Sequence, residues 1–230
     1  MKLRGVLCAL VAAGITPVAA LGQWSDNFDA YSPGSINGQG GWKGWDGVAS
    51  AAGIVTSAIS RSAPNSQQIN SASDSVRLYT GVSSGVWTYT AYQYIPAGFS
   101  GSTYFILLNT YNDGGPYDWS VELQFLGGTG QVVDDLRASN PVTFVRDAWA
   151  EIRVDFDLTA NTISQFYNGS LIASGTWTTG TPSVMNLAAV DLYGGTGTNV
   201  YYDDMRLIPA PASAALMGLA GLLSARRRRN

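Results

Sequence analysis

Histidine is absent from the 230 residues, and cysteine occurs once, at Cys8. Without histidine the chain lacks the usual general base, the usual proton shuttle and the commonest transition-metal ligand. A single cysteine excludes an internal disulfide. Cys8 also falls in a segment with the layout of a cleaved signal, so the mature chain would carry no thiol, which is compatible with an oxidising exterior. Charged residues make up only 13% of the chain, and Glu122 and Glu151 are the only glutamates. Helical periodicity of useful length is missing between Trp24 and Leu207. Basic residues are scarce in the same stretch. Lys2, Arg4, Arg226, Arg227, Arg228 and Arg229 hold six of the thirteen, leaving seven against sixteen acidic residues, a net charge near −9. Such a domain repels phosphate backbones, which excludes nucleic acid as a partner, whereas it suits the cell exterior and divalent cations.

What is present is the material of strands and tight turns. Hydrophobic residues reach 46%, aromatics 11%, and there are 27 glycines. The length suits one large β-sandwich, or at most two small domains.

The two ends have a different character. Residues 1–22 place Lys2 and Arg4 before an apolar run from Val6 to Ile15, then Pro17 and small residues. This is the layout of a signal peptide, with cleavage after Ala20 or Gly22; the other reading is an uncleaved membrane anchor, for which the apolar run is short. Residues 209–230 place Pro209-Ala210-Pro211 before a fourteen-residue apolar stretch at 212–225 and then the four arginines. The stretch is short for a hydrocarbon core of about 30 Å, and the arginines would hold it at the cytoplasmic side of the inner membrane. Short apolar helical segments are therefore expected at both ends, the second as a transient transmembrane helix. This tail resembles the PEP-CTERM sorting signal of Gram-negative bacteria, with Ala210 where that family has glutamate. The resemblance implies an exosortase-type processing enzyme as partner and a destination at the cell envelope, cell surface or extracellular matrix.

Between the ends, period-2 alternation is frequent. In 150–158, Ala150, Ile152, Val154, Phe156 and Leu158 fall on one side and Glu151, Arg153, Asp155 and Asp157 on the other. Residues 119–125 alternate in the same way. Further strands are expected around 52–59, 75–80, 85–95, 102–111, 130–136, 142–146, 162–167, 170–176, 186–193 and 199–207. Asn168-Gly169 is a two-residue hairpin signal. The pattern predicts an all-β, two-sheet antiparallel β-sandwich over 23–208.

That region resembles the concanavalin A-like lectin/glucanase jelly roll, including laminin G-like domains. The matching features are Asp26-Asn-Phe-Asp-Ala-Tyr31, Gly40-Gly-Trp42, 149–158, the hairpin around Tyr167-Asn-Gly169, and Tyr201-Tyr-Asp-Asp-Met-Arg-Leu207. The resemblance implies that the first and last strands lie side by side, bringing Asp26 and Asp29 near Asp203 and Asp204. Those carboxylates would offer oxygen ligands to one structural Ca²⁺, although alternation lets only one of Asp203 and Asp204 face any one site. The other reading is a solvated acidic pair at a strand end.

Hydrolases of this family carry their carboxylates close together on one strand, as Glu-x-Asp-x-x-Glu. Neither Glu122 nor Glu151 begins that pattern, and the two lie on different strands, so no catalytic residues are expected and the chain reads as a non-enzyme. Sugar would instead rest on aromatic platforms, for which the candidates are Trp42, Trp45, Tyr92, Tyr94, Tyr111 and Tyr117. The expected function is carbohydrate or exopolysaccharide binding without catalysis. The alternatives are an atypical polysaccharide-active enzyme (glycoside hydrolase or lyase) and a purely structural surface protein.

Overall fold

The computed structural model describes residues 23–179 and 184–210. The signal at 1–22 and the apolar and arginine parts of the tail lie outside them. Among the described residues no helix is long and apolar enough to cross a membrane.

The described residues form sixteen strands. The first half of the chain contributes β1 (Trp24–Asp26), β2 (Gly34–Ser35), β3 (Trp42–Gly44), β4 (Ile54–Thr56), β5 (Ser66–Ile69), β6 (Asp74–Leu78), β7 (Val86–Tyr94) and β8 (Ser102–Tyr111). The second half contributes β9 (Tyr117–Leu126), β10 (Gln131–Asp134), β11 (Val142–Thr143), β12 (Trp149–Asp157), β13 (Thr162–Tyr167), β14 (Ser170–Gly175), β15 (Ala189–Tyr193) and β16 (Val200–Pro209). Two single 3₁₀ turns, Trp45–Gly47 and Ala49–Ala51, are the only helical pieces described.

The strands form two antiparallel sheets. One runs β14-β13-β12-β7-β16-β5-β4-β2, with β1 also on β16, and the other runs β11-β10-β9-β8-β15-β6-β3. The expected two-sheet sandwich is what forms. The alternation that predicts β12 sets its facing: Ala150, Ile152, Val154 and Phe156 are at most 2% exposed, and the residues between them are half-buried. Phe156 stacks on Trp177 at 4.5 Å between ring centroids, fixing the core at that end. Asn168 and Gly169 both take positive φ, as a two-residue hairpin requires.

Three differences from expectation have physical causes. Strand β5 reads as polar, yet Ser66 and Gln67 are fully buried, because Gln67 donates from Nε2 to Ser75 Oγ at 2.6 Å across the interior. Strand β3 hides in a glycine-rich loop because only Trp42 carries its core contact. Strand β16 continues past 208: Pro209 aligns with Trp87, and the Ala210 N–H donates to Val86 O at 2.8 Å. Two residues assigned to the sorting tail are thus tied into the sheet.

Strand β8 is buried on both faces. Phe105 and Leu107 point into the sandwich, while Ile106 and Leu108, on the outer face, are 3% and 0% exposed. A second apolar cluster covers the outside of the seven-stranded sheet there, joining Val76, Ile106, Leu108, Tyr111 and Ala189, with Trp45, Tyr104, Tyr117 and Trp119 against it.

Candidate functional site

The outer face of the seven-stranded sheet is ordered by register. One row across the strands reads Asp74, Tyr193, Tyr104, Gln124. The next reads Lys43, Val76, Asp191, Ile106, Glu122. In the first row the Tyr104 and Tyr193 rings stack at 5.5 Å with 27° between planes, and Gln124 donates from Nε2 to Tyr104 OH at 2.5 Å. Tyr193 is 39% exposed, so one face of this stack meets solvent.

The second row carries buried charge. Asp191 is 2% exposed, and its neighbours Val190 and Leu192 belong to the sandwich core, which places Asp191 on the outer face. Its side chain interacts with that of Asp74, which sits diagonally from it on β6. No protein donor reaches Oδ1 of either residue. Burial pushes Asp191 well above the usual carboxylate range, and the charges of Asp74 and Glu122 add to this. Burial also raises Asp74, against the lowering effect of its hydrogen bond with Asp191. Glu122 is raised by burial and by nearby Asp135 and Asp134. The two carboxyls interact and so titrate as a unit, with burial disfavouring the charged form of each.

An aromatic cluster stands at one end of this face. Trp45 meets Tyr111 at 4.8 Å and Tyr117 at 4.7 Å, and Tyr117 lies 6.2 Å from Trp119. Asp46 fastens the Trp45 turn to the loop between β8 and β9. It accepts from Tyr117 OH at 2.6 Å and from the Gly114 N–H at 2.9 Å, and its own N–H donates to Tyr111 OH. Lys43 closes the same corner through Asp113 at 2.6 Å.

Three of the six expected platform residues, Trp45, Tyr111 and Tyr117, therefore come together. The other three do not join them. Trp42 is 1% exposed and packs in the core with Phe28. This corrects its assignment as a platform: it belongs to the sandwich core, where its indole donates to buried Asp26 at 2.9 Å. Tyr92 and Tyr94 stand on the nine-stranded sheet, Tyr92 beneath the Arg61 guanidinium at 3.5 Å and Tyr94 against Trp149.

Of the expected metal ligands, Asp26 and Asp204 border one surface cavity, and all four are engaged by donors of the protein. Strand β1 does pair with β16, aligning Asp26 with Met205. However, Asp26 accepts from the Phe28 N–H, Tyr31 OH and Trp42 Nε1. Asp29 accepts from the Asn65 N–H, and Asp203 from the N–H groups of Arg61, Ser62 and Asp204. Asp204 pairs with Arg61 and Ser62. Among the described residues no three acidic side chains form a group able to hold a metal.

Sequence reasoning passed over Asp74, Asp191, Tyr104 and Tyr193. The one local signal was a charge inside the apolar run Ala-Val-Asp-Leu-Tyr at 189–193.

No family model matches the chain, and no curated protein matches it. Solved structures do. An endo-beta-1,4-glucuronan lyase from the fungus Trichoderma reesei superposes with a TM-score of 0.54 at 10% identity, covering 82% of this chain and 96% of the lyase. A sialidase superposes with a TM-score of 0.56 at 10% identity, over 85% of this chain but only 19% of the sialidase. A Trypanosoma rangeli sialidase gives 0.51 at 12% identity, over 76% of this chain and 29% of that one. The likeness is one of fold.

Proposed function

We propose that this protein binds carbohydrate on the outer face of its seven-stranded sheet, without catalysis, as an exported component of the cell surface or matrix. The observation that carries the proposal is the row Asp74, Tyr193, Tyr104, Gln124. A stacked, partly exposed ring pair flanked by a carboxyl and a carboxamide suits a pyranose, whose C–H face lies on a ring while its hydroxyls take the polar neighbours. The superposing structures are two sialidases and an endo-beta-1,4-glucuronan lyase, names of proteins that act on sugars, which supports a polysaccharide-related role. A glycan array with the full-length protein tests the proposal. Tyr193→Ala should weaken the best hit by about tenfold, or ~1.4 kcal/mol, while Tyr92→Ala on the opposite sheet changes nothing. Equal loss in both variants, or a blank array, would overturn it.

A specific observation favours the enzymatic alternative as a second reading. Asp191 and Glu122 lie in one row with a single strand between them. That puts their backbones about 10 Å apart, in the region of the ~6.5–9.5 Å carboxyl spacing of inverting glycosidases. New reducing ends or unsaturated products from a bound polysaccharide, lost in Glu122→Gln, would establish it.

Export and sorting rest on the ends of the sequence. Processing at the tail by an exosortase-type enzyme predicts a C-terminal mass lacking Arg226, Arg227, Arg228 and Arg229. An intact mass that retains Asn230 in a host carrying the enzyme would refute it.

A further inference from the structure

The site face is acidic almost throughout. Asp46, Asp74, Asp113, Glu122, Asp135 and Asp191 lie on it or at its edge. Lys43 is its one basic residue among those described, and both oxygens of Asp113 already hold its ammonium, at 2.6 and 2.7 Å. The arginines are engaged elsewhere. Arg77 stacks on Trp24, Arg61 and Arg153 on rings of the nine-stranded sheet, and Arg137 pairs with Asp134. Arg146 serves the carbonyls of Pro96, Ala97 and Phe99, and Arg206 is on β16.

A second observation is independent of that charge. Asp191 Oδ1 has no protein donor although the residue is 2% exposed, and Asp74 Oδ1 is in the same position. A buried carboxylate oxygen without a donor is costly. It is satisfied either by a proton held between the two side chains or by a cationic donor that replaces that proton. Asp74 is half-buried and Asp191 is 2% exposed, which puts Asp74 nearer to solvent, with the Oδ1 atom of each buried. The partly exposed Tyr193 lies directly opposite Asp74.

We infer that the ligand is a cationic amino sugar, a polymer of the glucosamine type, whose ammonium sits at the Asp74–Asp191 pair while its ring stacks on Tyr193. The inference rests on the carbohydrate reading above and names the sugar class. An ammonium brings three donors to oxygens that lack them, and charge-assisted hydrogen bonds are about twice as strong as neutral ones. A polyuronate meets like charge on this face, and an N-acetylated sugar brings no charge at all.

Titration calorimetry with the full-length protein tests this, using a glucosamine hexamer, its N-acetylated counterpart, an oligoglucuronate of equal length and a lysine hexapeptide. The glucosamine hexamer should bind at least about tenfold more tightly than the N-acetylated one. Asp74→Asn should bring that ratio to within about twofold. Tyr193→Ala should weaken both sugars alike and keep the ratio, and Asp155→Asn on the nine-stranded sheet should leave it unchanged. Tighter binding of the oligoglucuronate, parity between the two hexosamine oligomers, or equal binding of the lysine peptide would overturn the inference. If neutral glycans bind at this face without a preference for glucosamine, this inference fails and the carbohydrate reading stands. If no sugar binds, the carbohydrate reading itself fails.

Discussion

At the scale of single residues, side-chain chemistry was legible in the sequence and orientation was only partly so. Trp42 shows the difference. Its type marks it as a sugar platform, but its place on a three-residue strand turns it inward, where its indole, Tyr31 OH and the Phe28 N–H all serve the Asp26 carboxylate. That carboxylate is 8% exposed, so each donor counts. Trp42→Phe keeps most of the ring and removes one donor. It should destabilise the fold by ~1–3 kcal/mol, the usual cost of leaving a buried acceptor short of a partner. Urea denaturation measures this, and a midpoint equal to that of the wild type would show that water replaces the indole without cost. By contrast, Phe156 and its neighbours could be placed from alternation alone, since nine residues of strict period 2 leave one orientation open.

At the scale of elements, long strands with alternating sequence were legible and short strands within loops were not. The hairpin at Asn168-Gly169 follows from turn chemistry, whereas β3 and β5 depend on contacts far away in the chain. The junction after β15 shows how such contacts constrain an element. A Cβ on Gly194 would lie 1.6 Å from Asn70 O and 2.5 Å from Asn70 C, both backbone atoms that cannot swing aside. The Gly194 N–H donates to Ser73 O at 2.8 Å, so the glycine clasps the turn that leads into β6 and Asp74. Gly194→Ala should therefore cost more than ~2 kcal/mol, in the class of overpacking against fixed backbone. It should also weaken ligand binding, because the turn positions Asp74 opposite Tyr193. Gly128→Ala meets nothing within 4 Å and should stay within about 0.5 kcal/mol of wild type. Similar melting temperatures for the two alanine variants would show that the 70–73 turn yields freely.

At the scale of the whole molecule, the sandwich itself could be anticipated because the alternation and turns of many strands agree. The site could not, since Asp74, Tyr104, Gln124 and Tyr193 become neighbours only through the register of four strands spread over 120 residues of chain. The same assembly predicts a stability that falls as pH rises. Unfolded aspartates titrate near about 3.9. In the fold, burial raises Asp74, Asp191, Glu122 and Asp135, and it brings Asp203 up to about 6. The folded state therefore binds more protons than the unfolded chain above the ordinary carboxylate range, and stability must fall as pH rises through that window. For Asp203 the loss runs from about pH 4 to its folded value of about 6. For the Asp74–Asp191 pair it starts at the same lower limit. The charges of Asp46 and Glu122 act on that pair, and Lys43 lies in the same row as Asp191. The two acids reinforce the trend, and Lys43 is held by Asp113. Asp113 itself acts in the opposite sense: Lys43 lowers it, so its contribution is lost only below the ordinary carboxylate range, outside this window. The melting temperature should accordingly fall by roughly 3 °C or more between about pH 5 and about pH 8. In Asp191→Asn the fall should be smaller and the melting temperature near pH 8 higher than that of wild type, because the amide offers Asp74 a donor and removes the need for a shared proton. A melting temperature that rises with pH in the wild type, or an Asp191→Asn variant less stable near pH 8, would show that both carboxyls are ionised in the fold.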